Sequence, residues 1–267
     1  MPEGHSLHRL ALAHDALFAG ESVRVSSPQG RFAPEAKRLD GRVFERADSW
    51  GKHLWHRYSG GAIVHVHLGL YGAFTEFDLI DGAAPPPVGQ VRMRIVGARG
   101  GTDLRGPTAC ELVTEEQVDA VLARLGPDPL RPDSDPEDAW RRIERSRRPI
   151  GALLMDQKVM AGVGNVYRAE VLFRAGIDPH REGRDISRSE FDGIWADLVA
   201  LMPIGVERGR MHVVRPEHDH GAPSYAEGRP RTYVYRRTGE SCRVCGTPVR
   251  TAVMEARNLY WCPTCQS

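Results

Sequence analysis

The sequence predicts an α+β protein, made of an antiparallel β-domain, a helical region and a small cysteine-rich hairpin. Strand-like alternation of apolar residues recurs through the first half of the chain. Helical spacing and helix-capping patterns dominate the second half, from residue 136 to residue 203. Two Cys-x2-Cys pairs then follow near the end, and this pattern is typical of a structural zinc site.

The composition limits the classes of function. The chain has 267 residues and 41% hydrophobic content, which suffices for one large domain or two modest ones with real cores. No stretch approaches the ~20 apolar residues of a membrane span, and no signal-peptide pattern opens the chain, so we expect no membrane partner. Four of the five cysteines are clustered, which favours a reducing compartment such as the cytoplasm over a disulfide framework.

The charge is divided unevenly along the chain. Residues 141–267 hold 21 Lys+Arg against 15 Asp+Glu, a net charge of +6, whereas residues 1–140 have a net charge of −5. The basic half is almost entirely arginine, which suits bidentate contact with phosphates. An arginine-rich genome would produce the same bias, so the charge alone leaves nucleic acid binding open.

Local patterns predict the elements of the first half. A helix is expected over Ser6–Ala19, where Gly20 ends the apolar stripe, and Thr114 to Gln117 has the form of a capping box that opens a helix to Leu125. The predicted strands are Val43–Ser49, His53–Tyr58, Ala62–His67 and Val91–Val96.

The chain start carries a possible nucleophile. If Met1 is removed, Pro2 has a free secondary amine, and an α-amino pKa near ~8 leaves a useful neutral fraction. Such an amine can form an iminium with a carbon at the aldehyde oxidation level, with Glu3 beside it as an acid or base. Met-Pro starts are ordinary, so this interpretation depends on the rest of the chain.

Three further features of the first half are ambiguous by themselves. Lys52 lies in a turn between two strands, where a lysine is usually only solvated. Leu70 and Tyr71 follow the third strand and could be a buried underside or a wedge that enters a duplex. Two histidine pairs could ligate a metal, but we interpret them as structural or surface residues: His65 with His67, and His5 with His8.

The pattern of the second half predicts a linker followed by helices. Residues 131–136 have a linker composition, and a helix is expected from Pro136. From Ile150 the chain predicts helix, turn, helix, with residues 162–165 in the turn. The glycines and Asn165 there could present donors to a phosphate, or the unit could be a plain helical hairpin. Ser187 to Glu190 forms a second capping box, and the helix it opens is expected to kink or end at Pro203.

The last segment gives the most specific pattern. Two Cys-x2-Cys pairs are separated by sixteen residues, which is four-thiolate zinc spacing, with iron as the weaker alternative. A hairpin is expected over residues 249–261, with Arg257 near its tip. One closed, structural zinc ion would stiffen a hairpin that is too small to fold alone. The expected ligands are Cys242, Cys245, Cys262 and Cys265.

These motifs, in this order, resemble the Fpg/Nei family of formamidopyrimidine-DNA glycosylase and endonuclease VIII. The resemblance rests on the chain start, on Gly51-Lys52, on the stretch from Leu154 to Asn165, and on the four-cysteine hairpin. It implies a two-layered β-sandwich with flanking helices, a helix–two-turns–helix domain and a zinc β-hairpin. The corresponding boundaries are a catalytic domain over 1–130, a linker over 131–138, the helical domain over 139–235 and the zinc hairpin over 236–267.

The resemblance implies a monomeric base-excision repair enzyme that acts on double-stranded DNA containing damaged bases or abasic sites. Pro2 would attack C1′ of the damaged nucleotide, Glu3 would protonate the deoxyribose ring oxygen, and β-elimination, with δ-elimination after it, would break the strand. Lys52 would assist proton transfer and Arg257 would hold phosphates around the everted nucleotide. The implied DNA-binding residues are Leu70, Tyr71, Arg124, Asn165 and, more weakly, Glu170.

Departures from the family pattern bear on the substrate. The purine-lesion branch has an Arg-Phe pair that is absent between Val91 and Leu112, where residues 103–106 form the nearest basic loop. It also has a lysine where Gly151 stands, and the loop over residues 212–231 does not resemble the one that covers oxidised purines. These differences favour the endonuclease VIII branch and oxidised pyrimidines, although Gly69 replaces a glutamine found in some members of that branch.

The alternatives belong to different classes of protein. An oxidised-purine glycosylase for 8-oxoguanine or formamidopyrimidine would share the chemistry but not the substrate. An abasic-site lyase would have lost base excision, and a zinc-ribbon DNA-binding protein would bind duplex DNA in a salt-dependent way without cutting it.

Overall fold

The computed structural model describes residues 2–219 and 232–267, and the chain divides into two compact units, Met1–Arg124 and Leu125–Ser267. The division lies ahead of residue 130, where the sequence places the end of the first domain. Each unit folds around its own buried apolar cluster.

The first unit is a two-layered β-sandwich with flanking helices, as predicted. Its elements are α1 (Gly4–Phe18), β1 (Arg24–Ser26), α2 (Ala33–Leu39), β2 (Phe44–Trp50), β3 (His53–Tyr58), β4 (Ala62–His67), β5 (Ala73–Asp78), β6 (Val91–Val96), β7 (Gly100–Arg105), β8 (Ala109–Val113) and α3 (Glu115–Leu122). Two antiparallel sheets have the strand orders β2-β3-β4-β8 and β1-β6-β7-β5.

The strands form where apolar residues alternate. In β3, Leu54, His56 and Tyr58 are fully buried on one face, and Leu54 and Tyr58 pack in the same core cluster as residues of α1. The turn into β4 contains Gly60 and Gly61 with φ angles of 75° and 72°, a conformation that glycine adopts without steric penalty.

The predicted capping box of α3 is present. The Thr114 hydroxyl accepts the amide of Gln117, and the Gln117 side chain accepts the amide of Thr114 at 2.9 Å. The helix ends at Leu122, three residues before the predicted end, and Arg124 follows shortly after it.

The second unit is helical and ends in a hairpin. Its elements are α4 (Glu137–Ile143), α5 (Ile150–Leu153), α6 (Asn165–Ala175), α7 (Arg188–Arg208), β9 (Arg250–Met254) and β10 (Arg257–Trp261). Helix α6 is almost wholly buried, and its C-cap residue is Gly176, whose φ of 70° is left-handed. Of the two outcomes expected at Pro203, the end of the helix is wrong, because α7 continues to Arg208, and the kink stays a prediction. Leu201 and Met202 just before Pro203 are buried in the core.

The hairpin occupies the predicted range. Strands β9 and β10 pair antiparallel with Met254 opposite Arg257 and Arg250 opposite Trp261. The predicted long loop over 212–231 is described only to residue 219, where it contains one 3₁₀ turn, Pro216–His218. Residues 220–231 lie outside the described residues. In the described part of the chain, no helix has the length and hydropathy needed to cross a lipid bilayer.

Candidate active site and DNA-binding residues

Helix α1 fixes the position of the chain start. Glu3 is the N-cap residue of α1, its carbonyl oxygen accepts the amide of Ser6 at 2.9 Å, and its side chain is fully buried. Pro2 comes directly before this anchored residue and is half-buried. The first turn of α1 is therefore anchored in the first unit, and it fixes the position of residues 2 and 3.

Two hydrogen bonds show that α1 runs antiparallel to β2. The Asp15 carboxylate accepts the amide of Ala47, and the amide of Gly20 donates to the Phe44 carbonyl at 2.9 Å. Later residues of the helix therefore lie beside earlier residues of the strand, and the helix start lies toward the strand's end.

This arrangement brings the chain start and Lys52 to the same end of the sandwich. From Asp15 back to Glu3 a helix covers about 18 Å at about 1.5 Å per residue. From Ala47 forward to Lys52 a strand covers about 17 Å at about 3.3 Å per residue. Lys52 lies in the turn between β2 and β3, as predicted, and Gly51 permits this turn with a φ of 58°.

The loop after β4 exposes two large apolar side chains. Leu70 is 44% exposed and Tyr71 is 88% exposed. The interpretation of these residues as a buried underside is therefore wrong. Gly69 precedes them with a φ of 66°, and a side chain at this position would collide with Thr108, so the glutamine that the resemblance suggests could not be accommodated without a shift.

A row of histidines connects β3 to β8. His53 Nδ1 lies 2.9 Å from His65 Nε2, and His65 Nδ1 lies 3.4 Å from Glu111 Oε1. Burial lowers the pKa of His53 to about 3, and His65, His67 and nearby cations contribute to that shift. These histidines are hydrogen-bonded structural residues, and among the described residues only the four cysteines form a cluster that could hold a metal ion.

Arg124 borders a cavity of about 470 Å³ on the first unit. Its Nε donates to the Ala120 carbonyl at 3.0 Å, which ties the start of the guanidinium to the end of α3. The residue is exposed and shares the cavity wall with His53 and His65. Arg124 is thus a surface cation, as a phosphate contact requires.

Asn165 is at the start of α6 but is 4% exposed. Its Nδ2 donates to the Asn258 carbonyl in β10 at 2.9 Å, and its Oδ1 accepts a hydrogen bond from Arg168. Asn165 thus joins α6 to the zinc hairpin at Asn258, the residue that follows Arg257 in β10. Arg168 was not predicted as a functional residue, although its three-residue spacing from Asn165 on one helix was an available signal.

The predicted DNA contact of Glu170 needs correction. This side chain is fully buried and accepts the amides of Tyr233, Val234 and Tyr235 at 2.6, 3.0 and 2.8 Å. Burial raises the pKa of the Glu170 carboxyl, and the three amide donors oppose that effect. A buried carboxylate with three donors holds the chain segment that leads into the hairpin, and it would repel a phosphate.

Arg257 is the first residue of β10, at the tip of the hairpin. Glu255 and Ala256 make the turn with φ angles of 52° and 53°, and Arg257 Nη1 donates to the Ala256 carbonyl at 2.9 Å. Arg257 is half-exposed, so its side chain is accessible to a ligand.

The four cysteines of the hairpin converge as a zinc site. Their sulfurs all lie within 4.8 Å of one another, with Cys242 and Cys265 at 3.8 Å and Cys245 and Cys262 at 3.5 Å. A tetrahedral site with Zn–S bonds of about 2.3 Å has sulfurs about 3.8 Å apart. The thiols therefore fit one structural zinc ion with no position left for a substrate, and this confirms the predicted cofactor.

Residues 103–106, expected as a basic loop, belong mostly to strand β7. Asp103 is buried and accepts hydrogen bonds from Arg94 at 2.6 and 2.9 Å and from Arg105 at 2.9 Å. The prediction of a basic loop is wrong because the backbone here is paired in the sheet and the side chains of Asp103 and Arg105 are engaged in ion pairs. The remaining cysteine, Cys110, packs against the sandwich core, and burial raises its pKa to about 12.

Comparisons with known proteins agree over nearly the whole chain. The family model of the formamidopyrimidine-DNA glycosylase N-terminal domain matches residues 1–106, that of the H2TH domain of the same glycosylase matches residues 125–215, and that of the zinc finger found in FPG and IleRS matches residues 239–267.

Individual relatives span the full length. Endonuclease 8 1 of Mycobacterium tuberculosis is 65% identical over 268 residues, with 100% of both chains covered. The MutM (Fpg) protein of Thermus thermophilus is 28% identical, with a TM-score of 0.78 over 99% of this chain and 98% of that one. The Lactococcus lactis Fpg in complex with DNA containing an abasic site is 20% identical, with a TM-score of 0.81 over 99% of each chain, and it shares the fold.

Proposed function

Because this chain belongs to the Fpg/Nei family of DNA glycosylases, we propose that it excises oxidised pyrimidines from duplex DNA and then cleaves the strand at the abasic site. The observation that carries the proposal is the antiparallel packing of α1 on β2, which supports joint action of the chain start and Lys52. A zinc-ribbon DNA-binding protein would need neither residue there.

The chemistry starts at Pro2 after removal of Met1. The secondary amine attacks C1′, the N–C1′ bond forms, the glycosidic bond breaks, and the base departs with a proton. Glu3 protonates the ring oxygen, so the sugar opens to an iminium. The positive iminium acidifies the C2′ proton, and its removal expels the 3′ phosphate in β-elimination. Elimination of the 5′ phosphate, the δ-step, can follow while the iminium persists, and water finally hydrolyses the iminium and frees Pro2.

Lys52 assists the proton transfers in this scheme. It occupies a rigid turn, with the left-handed Gly51 before it and a strand on each side. A cation held there would also pair with a phosphate next to the damaged nucleotide. Its predicted role is supported by position, because the turn lies at the same end of the sandwich as Glu3.

Three polar residues are proposed as DNA contacts. Arg124 is exposed at the end of α3, and Arg257 is half-exposed at the hairpin tip, so both guanidinium groups are accessible to phosphates. Asn165 is buried except for a small part, and its position at the N-terminus of α6 suits a phosphate bound over the first turn. Glu170 is omitted because it is an interior acceptor.

Leu70 and Tyr71 are proposed to fill the space that the damaged base leaves in the duplex. Leu70 and Tyr71 are adjacent and both exposed, which leaves them accessible for insertion between bases as an apolar wedge. Extrusion of a base costs a few kcal/mol, and less for a damaged base, which contributes to selectivity.

The surroundings of Gly151 in the second unit support the proposed substrate preference. A side chain on Gly151 would lie 3.1 Å from the Met254 sulfur and 3.0 Å from the Pro179 carbonyl oxygen. A lysine there, as in the purine-lesion branch, would require Pro179 and the Met254 side chain to shift by a few tenths of an ångström. Together with the high identity to a protein named Endonuclease 8 1, this supports oxidised pyrimidines over oxidised purines.

Borohydride trapping tests the proposal. The protein without Met1, incubated with a duplex that contains an abasic site, should give a covalent adduct and a cleaved strand, and Pro2→Gly should abolish the adduct. Intact-mass analysis establishes that Met1 is absent. Failure of trapping, or trapping that survives Pro2→Gly, would exclude the mechanism.

A panel of single-lesion duplexes tests the substrate. Thymine glycol should be excised faster than 8-oxoguanine, and the opposite ranking would make the protein an oxidised-purine glycosylase. Cleavage of abasic sites with no base excision at all would make it a lyase only. Salt-dependent binding without strand scission would identify the protein as a DNA-binding protein without catalytic activity. The reduced thiols that zinc needs favour action in the cytoplasm. We propose that the protein acts on DNA as a monomer.

A further inference from the structure

We propose that Arg148 is a positioning residue, which fixes the tip of the zinc hairpin and thereby orients Arg257 toward the phosphates. This inference rests on the proposed function of Arg257. Arg148 lies two residues before α5, and the hairpin tip is more than a hundred residues further along the chain. Both belong to the second unit.

The tip is a part of the hairpin whose geometry needs outside support. Glu255 and Ala256 both adopt left-handed conformations, with φ angles of 52° and 53°, although neither is glycine. Each such residue costs roughly 1–2 kcal/mol relative to an ordinary conformation. Arg257 follows at once, so any relaxation of this turn redirects its side chain.

Arg148 joins the tip to an anchored carboxylate. Its Nη2 donates to Glu255 Oε1 at 3.0 Å, and its Nη1 donates to Asp156 Oδ2 at 2.9 Å. Asp156 is itself fixed, because its other oxygen accepts the amide of Lys158 at 3.0 Å. Hydrogen bonds to Asp156 and Glu255 raise the pKa of Arg148, which therefore stays charged. The chain Asp156–Arg148–Glu255 thus extends from the helical region to the hairpin tip.

The inner side of the hairpin is held separately. Asn165 Nδ2 donates to the Asn258 carbonyl at 2.9 Å, and the buried Arg168 lies 3.5 Å from the Met254 carbonyl. These contacts and the zinc site keep the hairpin folded and attached. Arg148 and Glu255 are 45% and 44% exposed, so their ion pair adds little to global stability. Loss of Arg148 should therefore loosen the tip without unfolding the protein.

Arg148 also neutralises the negative charge of Glu255. Glu255 is two residues from Arg257, and an unpaired carboxylate there would repel the phosphate that Arg257 binds. The Arg148 guanidinium neutralises it at 3.0 Å. Position and charge therefore both make the phosphate contact of Arg257 dependent on Arg148.

A double-mutant cycle between Arg148→Ala and Arg257→Ala tests the inference. The measured quantity is the dissociation constant for a duplex carrying a tetrahydrofuran abasic-site analogue, at two salt concentrations. Arg148→Ala alone should weaken binding by about fivefold, the effect of a loss near 1 kcal/mol. In the Arg257→Ala background the same substitution should have less than about a twofold effect, because the interaction that it supports is already gone. Zinc content and thermal midpoint should match the wild-type protein.

Arg145→Ala is the matched control, because Arg145 is an exposed arginine in the same segment that pairs only loosely with Glu144, at 3.6 Å. It should change affinity by less than about twofold. Equal losses from Arg148→Ala in both backgrounds would show that Arg148 contacts DNA by itself, and would overturn the inference. No loss from Arg148→Ala, with a loss from Arg257→Ala, would also overturn it. No loss from Arg257→Ala would refute the proposed role of Arg257 and the inference with it.

Discussion

Replacing Glu170 with glutamine should destabilise the protein without removing a DNA contact. Glu170 Oε1 accepts two backbone amides and Oε2 accepts a third, all from residues 233–235, inside the fully buried interior. Glutamine has the same shape but only one acceptor oxygen. With that oxygen in the place of Oε1, the new NH₂ group faces the Tyr233 amide, so two donors meet and one buried amide loses its partner.

The size of the effect follows from these contacts. A buried donor left without an acceptor costs about 1–3 kcal/mol, and the two remaining hydrogen bonds lose their charge assistance, each worth about 1 kcal/mol. The total of about 3–5 kcal/mol corresponds to a decrease in thermal midpoint of about 6–20 °C for a protein of this size. Circular dichroism melting of the zinc-loaded protein measures it.

DNA affinity at room temperature should change by less than about twofold in Glu170→Gln, since the side chain does not reach the surface. Glu240→Gln is the control, because the Glu240 side chain is 53% exposed, glutamine keeps an oxygen that can accept from Arg237, and the change should cost less than about 0.5 kcal/mol. An unchanged thermal midpoint together with DNA binding weakened by about tenfold or more, a loss near 1.4 kcal/mol, would refute the structural role of Glu170 and restore the original prediction.

Three further outcomes are expected. Acid should destabilise the first unit. Burial lowers the pKa of His14 to about 3, whereas the ordinary pKa of histidine in the unfolded chain is near 6.5. Below about pH 6.5 the unfolded state therefore takes up the proton first, and the free energy of unfolding falls by about 1.4 kcal/mol per pH unit between those two pKa values. Urea titrations at about pH 7.5 and about pH 5.5, on either side of that ordinary value, should show this fall, and equal midpoints would contradict it. Removing zinc with a chelator, or replacing Cys262 with serine, should unfold the hairpin and abolish tight DNA binding; unchanged affinity in the zinc-free protein would argue against its structural role. Tyr71→Ala should leave stability within about 0.5 kcal/mol, because the side chain is 88% exposed, yet slow base excision more than cleavage of a preformed abasic site; equal slowing of both would exclude the wedge.

Sequence by itself determined the features whose partners are close along the chain. Strands β3, β4 and β6 have the predicted bounds because alternation of apolar residues is a local pattern. Both capping boxes formed because each requires only residues three positions apart. The zinc site was predictable because the two Cys-x2-Cys pairs carry their own turn geometry, and the hairpin between them only had to bring them together.

Tertiary structure alone decided the roles of residues whose partners are distant in sequence. Glu170 was expected, more weakly than the others, to contact DNA, but it accepts amides more than sixty positions later. Arg148 and Glu255 are 107 positions apart, and no local pattern relates them. Whether an apolar pair such as Leu70 and Tyr71 is buried depends on what the rest of the chain packs against it. Burial and long-range pairing are properties of the assembled core, so local patterns in the sequence could not predict them.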